Sequence, residues 1–123
     1  EKRRVGNSGQ KEALTLIGDV HQCDVIIVDD IVDTAGSIVN AVEVVKDRGA
    51  RKVSVVFTHA VLSDPATERL RNANLEEIIT TDTIAIPLEK RLPNMTVLTV
   101  ANLLGEVIRR SHDGRSVGEL FNE

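Results

Sequence analysis

A run of acidic and small residues directly after an apolar segment is the part of this chain best suited to chemistry. Two carboxylates, Asp29 and Asp30, follow the apolar residues 25–28. The loop that comes next consists of Asp33, Thr34, Ala35, Gly36 and Ser37. Ionised carboxylates accept hydrogen bonds from vicinal hydroxyls, and the N–H groups that open a helix bind phosphate. The segment therefore predicts a sugar-phosphate site, with the two aspartates on ribose O2 and O3.

The loop composition supports the phosphate half of this prediction. Its residues are mostly small, and two of them carry hydroxyls, so a phosphate can approach the backbone without obstruction. The first turn of a helix offers free N–H donors and the positive end of the helix dipole. We expect Gly36 to take backbone torsions closed to other residues, which would let the loop fold around the anion. Adjacent acids after a strand are also common as mere turn formers, so Asp29 and Asp30 alone would be a weak signal.

The elements around this loop follow from hydrophobic patterning. Val25–Val28 is β-branched and shows no alternation, which predicts a strand buried on both faces. Apolar residues at helical spacing from Ile38 predict a helix that runs to about Arg48 and stops at Gly49. Strands and helices that alternate in this way favour an α/β fold with a parallel sheet and crossover helices.

The rest of the chain continues the alternation. Further strands are expected at 53–57, 78–81 and 97–100, with a loop at 84–94 because of its prolines. Asp64 and Pro65 are expected as N-cap and first residue of a short helix. The last helix is expected from about Asn102 to Arg110, and its apolar residues are expected to be buried: Leu103, Leu104, Val107 and Ile108.

Composition excludes several classes of function. The 123 residues include 15 basic and 19 acidic side chains, a net charge of −4, which disfavours nonspecific nucleic-acid binding. Two Phe and no Trp or Tyr leave almost no platform for base stacking. A single cysteine, Cys23, permits no internal disulfide and fits a cytoplasmic, reducing setting. No apolar stretch approaches the ~20 residues of a membrane span.

The segment from Val28 to Ser37 resembles the ribose 5-phosphate/PRPP loop of the type I phosphoribosyltransferase fold, and more narrowly that of ribose-phosphate pyrophosphokinases (PRPP synthetases). The similarity extends to further segments in matching order, namely Lys2-Arg3-Arg4, Thr58-His59, Asp82-Thr83-Ile84, 103–110 and 116–121. The resemblance implies a parallel-sheet phosphoribosyltransferase-like domain with helices on both faces. Because these enzymes carry two such domains, residues 1–123 would be most of the C-terminal one, with 1–10 a remnant of a flexible catalytic loop.

The resemblance also implies roles for residues. Asp29 and Asp30 would hold the ribose hydroxyls, and the residues from Asp33 to Ser37 the 5-phosphate. Lys2 and Arg4 would be catalytic, because the cations of the flexible loop stabilise charge that builds up on the transferred group. A regulatory anion site would include Ser116, Val117, Gly118, Glu119, Leu120 and Phe121. No metal ligand is assigned within this chain.

The family implies substrates and partners as well. The expected reaction transfers diphosphate from ATP to ribose 5-phosphate, giving PRPP and AMP for nucleotide biosynthesis, with Mg²⁺ accompanying ATP and inorganic phosphate as an activator. A dimer-based homo-oligomer, of which a hexamer is one form, is expected, with no nucleic-acid or membrane partner. Three alternatives stay open: a phosphoribosyltransferase that consumes PRPP, a non-catalytic PRPP synthetase-associated subunit, and a plain structural α/β module. Ser or Thr at position 33 is typical of the first, and a damaged phosphate loop of the second.

Overall fold

Four strands and three α-helices alternate along the chain in the computed structural model, which describes residues 16–121. The elements are β1 (Asp24–Val32), α1 (Gly36–Asp47), β2 (Lys52–Ala60), α2 (Ala66–Asn72), β3 (Ile78–Thr81), β4 (Met95–Leu98) and α3 (Ala101–His112). Short 3₁₀ helices span Leu88–Lys90 and Gly118–Phe121. The strands form one parallel sheet in the order β1-β2-β3-β4. The predicted α/β class with a parallel sheet is confirmed.

The register of the sheet brings the loops that follow β1, β2 and β3 to one edge. Val25 pairs with Val53 and Asp29 with Phe57, while β3 continues the same direction beside β2. In parallel sheets ligands bind outside the carboxyl ends of the strands. Strand β1 extends to Val32, so Asp29 and Asp30 lie within its last four residues and not after the strand as predicted, close to the edge where such a site is expected.

Helix α1 has a well-defined end. The N–H of Gly49 donates to the carbonyl of Lys46 at 2.9 Å, and the N–H of Ala50 to that of Val45 at 3.1 Å. This pair of bonds is a Schellman motif, and Gly49 takes the left-handed conformation it requires, at φ 86°. The predicted stop at Gly49 is confirmed.

One face of the sheet packs against α1 and α2 and forms the core. Its fully buried members include Val55, Phe57 and Ile78 from the strands and Val42 and Leu70 from the helices. Burial of this apolar area is the main stabilising term for the fold.

The opposite face is open within residues 16–121. Ile26 is 66% and Val28 is 73% exposed, so the expectation that Val25–Val28 is buried on both faces is wrong for the described chain. Exposure alternates along β1 because α1 and α2 pack on the side of Val25 and Ile27, and α3 buries none of its own residues.

The predicted bounds of two further elements also need correction. Helix α2 begins at Ala66, and its N-cap is Pro65 and not Asp64 as predicted. No side chain caps the helix, because the N–H of Ala66 donates to the carbonyl of Ser63 instead. Strand β4 ends at Leu98 rather than at residue 100, because the N–H of Val100 donates to the Asp82 carboxylate at 2.9 Å. That hydrogen bond also lowers the pKa of Asp82, with a smaller contribution from the Thr99 side chain.

Helix α3 differs most from expectation. Leu104 and Ile108 are 54% and 69% exposed, and Leu103 is also exposed, while Val107 is half-buried. The predicted burial of this apolar stripe is therefore wrong within residues 16–121. The pattern shows that the helix is amphipathic, but the described chain supplies no surface to cover it.

None of the described helices is long and apolar enough to cross a bilayer.

Candidate functional site

Buried apolar residues anchor the loop between β1 and α1 to the core. Val32 and Ala35 are almost fully buried, and Ile38 is buried in the first turn of α1. The residues between them, Asp33, Thr34, Gly36 and Ser37, are exposed. Three apolar anchors thus fix the loop backbone while its polar groups face outward.

The strained residue of the loop is Ala35, and not Gly36 as expected. Ala35 has φ 60° and ψ 12°, in the left-handed region, whereas Gly36 is the first residue of α1 and has no positive φ. The left-handed conformation costs a non-glycine residue roughly 1–2 kcal/mol, and such strain concentrates at ligand sites. A left-handed residue beside a helical one also directs successive N–H groups into a common concavity, which is a favourable arrangement for an anion.

The loop amides are available to a ligand. Within residues 16–121, no backbone hydrogen bond uses the N–H of Thr34, Ala35 or Gly36 as its donor. The carbonyl of Ala35, by contrast, accepts the N–H of Val39 at 3.1 Å and so starts the helix. These unbonded donors, at the positive end of a 12-residue helix, can bind the oxygens of a phosphate.

The acidic residues open into the same space. A cavity of about 270 Å³ is lined by the segment from Asp29 to Ile38. Asp29 is half-buried and accepts the N–H of Asp30 at 2.9 Å, while Asp30 and Asp33 are exposed. None of the three carboxylates pairs with a basic side chain among residues 16–121. All seven predicted binding residues, two in β1 and five in the β1–α1 loop and the first turn of α1, therefore border one cavity.

A second cavity adjoins the loop on the side of α2. It measures about 520 Å³ and shares Thr34, Gly36 and Ser37 with the first cavity. Arg69 of α2 lies in its wall and donates from Nη1 to the carbonyl of Thr34 at 2.9 Å. Sequence analysis missed Arg69, because the contact joins positions 35 residues apart and no local pattern signals it.

Comparison with known proteins agrees with this geometry. The sequence model of one protein family, described as the phosphoribosyl synthetase-associated domain, matches residues 4–122. The chain belongs to the phosphoribosyl synthetase-associated domain family. The predicted resemblance is thereby confirmed at the level of the family.

Individual relatives of this family can be named. The chain is 47% identical to a ribose-phosphate pyrophosphokinase of Bifidobacterium longum, over 98% of this chain and 35% of the relative. It is 48% identical to that of Campylobacter jejuni, over 98% and 38%. A crystal structure of phosphoribosylpyrophosphate synthetase from Mycobacterium smegmatis superposes with a TM-score of 0.78 at 42% identity, over 80% of this chain and 33% of that one. The chain thus spans about a third of the length of these relatives.

The remaining residues assigned from the family resemblance lie elsewhere. Lys2 and Arg4 fall outside the described residues, so their catalytic role stays a prediction. The segment 116–121 borders neither cavity at the loop. Its carbonyl at Ser116 and carboxylate at Glu119 both accept hydrogen bonds from Arg110 Nη1, each at 2.8 Å.

The two adjacent arginines of α3 form ion pairs with acidic side chains. Arg109 and Arg110 both donate to the Glu106 carboxylate, at 2.7–3.0 Å. The hydrogen bonds from Arg110 and then Arg109 lower the pKa of Glu106, and those to Glu106 and Glu119 raise the pKa of Arg110. The Arg110 guanidinium, whose side chain is largely buried, is therefore partnered within the chain, whereas the Arg109 side chain is paired with Glu106 but remains exposed.

A polar cluster at the ends of β2 and β3 also escaped prediction. His59 Nδ1 lies 2.9 Å from Thr83 Oγ1, and Thr81 Oγ1 donates to the carbonyl of Thr58 at 2.8 Å. These bonds join the last residues of β2 to the end of β3 and the loop after it, and so shape the edge of the sheet beside the β1–α1 loop. The family match around Thr58-His59 and Asp82-Thr83 was the available signal, but it gave no contact between them.

Proposed function

We propose that this chain is the ribose phosphate-binding part of an enzyme that makes PRPP and AMP from ribose 5-phosphate and ATP. The observation that carries the proposal is the shared cavity at the end of β1. The carboxylates of Asp29 and Asp30, which form no ion pair among residues 16–121, border the same space as the N–H groups of Thr34 to Gly36, which donate no backbone hydrogen bond in that range. A pentose phosphate has a diol for the first group and a dianion for the second.

In the proposed reaction the anomeric oxygen of the ribose attacks the β-phosphorus of ATP. A new O–P bond forms, the bond from that phosphorus to the oxygen bridging to the α-phosphate breaks, and AMP leaves as the anomeric hydroxyl loses its proton. The described residues contribute positioning: the loop would fix the 5-phosphate and the aspartates the diol, so that the anomeric oxygen is presented in one orientation. Positioning and electrostatics supply most of the catalysis in phosphoryl transfer.

Lys2 and Arg4 are proposed to complete this site. Three carboxylates surround a phosphate-binding loop, and a second polyphosphate adds further negative charge. Cations that approach over the bound substrates would stabilise the charge on the transferred group. The assignment rests on the match of residues 2–4 to the loop of the family.

The described residues do not supply a metal site of their own. Within residues 16–121 no group of three or more His, Cys, Asp or Glu side chains is arranged to hold a metal ion. Magnesium is proposed from the family resemblance to accompany the nucleotide, whose charge it would neutralise and whose phosphates it would align.

An assay of products tests the proposal. The complete polypeptide that carries this chain is incubated with ATP, Mg²⁺ and ribose 5-phosphate, and AMP and pyrophosphate are measured separately. AMP formed in equal amount to PRPP supports the proposal. Release of pyrophosphate from PRPP and a base would instead identify a phosphoribosyltransferase, and binding without turnover would identify a non-catalytic subunit.

The 123-residue chain alone provides a second measurement. It lacks most of the length of its relatives, and we expect it to bind ribose 5-phosphate at best and to form no AMP. Measurable AMP formation by this chain would contradict that expectation.

A further inference from the structure

We propose that Arg69 is a positioning residue for the phosphate loop, which it holds in its anion-binding conformation through the carbonyl of Thr34. The inference rests on the proposed function. It starts from one contact, the hydrogen bond from Arg69 Nη1 to Thr34 O at 2.9 Å, which joins α2 to the loop between β1 and α1.

The hydrogen bond fixes the orientation of the Thr34–Ala35 peptide, whose N–H is one of the proposed phosphate donors. The carbonyl of Thr34 and the N–H of Ala35 belong to one planar trans peptide, so they point in opposite directions. A guanidinium that holds the carbonyl on the α2 side therefore aims the N–H of Ala35 away from α2. Consistent with this, Ala35 borders the cavity of the aspartates, whereas Arg69 borders the other one.

The strain at Ala35 makes such a restraint necessary. Its left-handed conformation at φ 60° is unfavourable for a residue with a side chain. Rotation of the Thr34–Ala35 peptide offers relief from that strain and would turn the N–H out of the site. The hydrogen bond from Arg69 to Thr34 opposes this rotation, because the rotation would break a charge-assisted bond.

The position of Gly36 is compatible with the same arrangement. A Cβ atom built on Gly36 would lie 3.5 Å from Arg69 Nη1. The guanidinium thus passes directly beside the backbone of the loop. Arg69 is also the basic residue among those bordering the two cavities, whose acids are Asp29, Asp30, Asp33 and Glu43.

Two variants of Arg69 and one control on the same helix test the inference. Arg69→Met removes the donor, Arg69→Lys keeps the charge and one donor, and Arg71→Met makes the same charge change at another exposed position of α2. Ribose 5-phosphate is titrated into the complete polypeptide by calorimetry, and the KM for ribose 5-phosphate and for ATP and kcat are measured in parallel.

We expect Arg69→Met to weaken ribose 5-phosphate binding about 10- to 100-fold, the range for loss of a charge-assisted hydrogen bond. The KM for ribose 5-phosphate should rise while that for ATP and the melting temperature stay unchanged. Arg69→Lys should recover most of the affinity, and Arg71→Met should bind within about twofold of the parent, as is typical of exposed substitutions.

Salt separates positioning from simple attraction of the anion. At about 1 M salt the Debye length falls to roughly 3 Å, so long-range attraction is screened. The ratio of the Arg69→Met and parent dissociation constants should persist at that concentration. A ratio that collapses to one, or an Arg71→Met variant as weak as Arg69→Met, would overturn the inference. A parent protein that binds no ribose 5-phosphate would instead overturn the proposed function, and the inference with it.

Discussion

The β1–α1 loop and the C-terminal segment both resemble anion sites of the family, but they differ in how well they are packed and in whether their charged groups pair with one another. The loop rests on buried apolar residues, and within residues 16–121 the N–H groups of Thr34, Ala35 and Gly36 donate no backbone hydrogen bond and the nearby carboxylates form no ion pair. Helix α3 and the residues after it bury nothing fully, and their charges neutralise one another through Glu106, Arg110 and Glu119. A binding site needs a rigid base and polar groups kept free, and within residues 16–121 the loop meets both conditions.

The largest expected effect separates the supports of the two regions. Ile38→Ala in the 123-residue chain removes a side chain that is 2% exposed beneath the loop, whereas Ile108→Ala trims one that is 69% exposed on α3. We expect Ile38→Ala to lower the free energy of unfolding by about 2–5 kcal/mol and Ile108→Ala to change it by about 0.5 kcal/mol or less. Urea denaturation measures both. Equal losses would show that α3 is as well packed as α1.

The next comparison tests which loop residue carries the strain. Ala35→Val places a β-branched side chain at φ 60°, where such residues are rare. We expect a loss of about 1–3 kcal/mol in unfolding free energy and loss of ribose 5-phosphate binding. Gly36→Ala meets only ordinary contacts at 3.5 and 3.8 Å and should leave stability unchanged or raise it by up to about 1 kcal/mol. Greater destabilisation by Gly36→Ala than by Ala35→Val would restore the torsional role first expected for Gly36.

The smallest expected effect concerns the paired charges of the C-terminal segment. The pKa of Glu106 is lowered from its ordinary 4.5, chiefly by the hydrogen bond from Arg110. A lowered pKa means that the ionised pair stabilises fully above pH 4.5 and that this contribution is lost as the pH falls below it. The ¹³C signal of the Glu106 carboxyl, followed by NMR as the pH is lowered, should therefore titrate with a midpoint below pH 4.5. In Arg110→Met the midpoint should move back toward 4.5, because the largest cause of the lowered pKa is removed. A parent midpoint at or above pH 4.5 would contradict the assignment.

Sequence predicted the elements whose signal is local. Strand β3 has the expected bounds of 78–81, and Gly49 ends α1 because only a residue tolerant of positive φ fits the Schellman motif there. Residue type alone predicts both halves of a sugar-phosphate site at the loop, and the structure brings these residues to one cavity, while their binding role stays a prediction.

What sequence could not supply depends on contacts between distant residues. The end of β4 is set by Asp82, whose carboxylate takes the N–H of Val100 from the sheet ladder. The left-handed Ala35 gave no signal, because glycine is the residue that a positive φ predicts. Arg69 reaches the loop from another helix, and the amphipathic pattern of α3 does not say what covers its apolar side.

The central claim is that one cavity binds both the diol and the phosphate of ribose 5-phosphate. Ribose 5-phosphate is titrated by calorimetry into the complete polypeptide, into Asp30→Asn, and into Asp47→Asn, a charge-matched control at the exposed far end of α1. We expect the parent and Asp47→Asn to bind alike and Asp30→Asn to bind about 10- to 100-fold more weakly, because a charged acceptor of the diol is lost. Equal binding by all three proteins, or binding by none, would contradict the account.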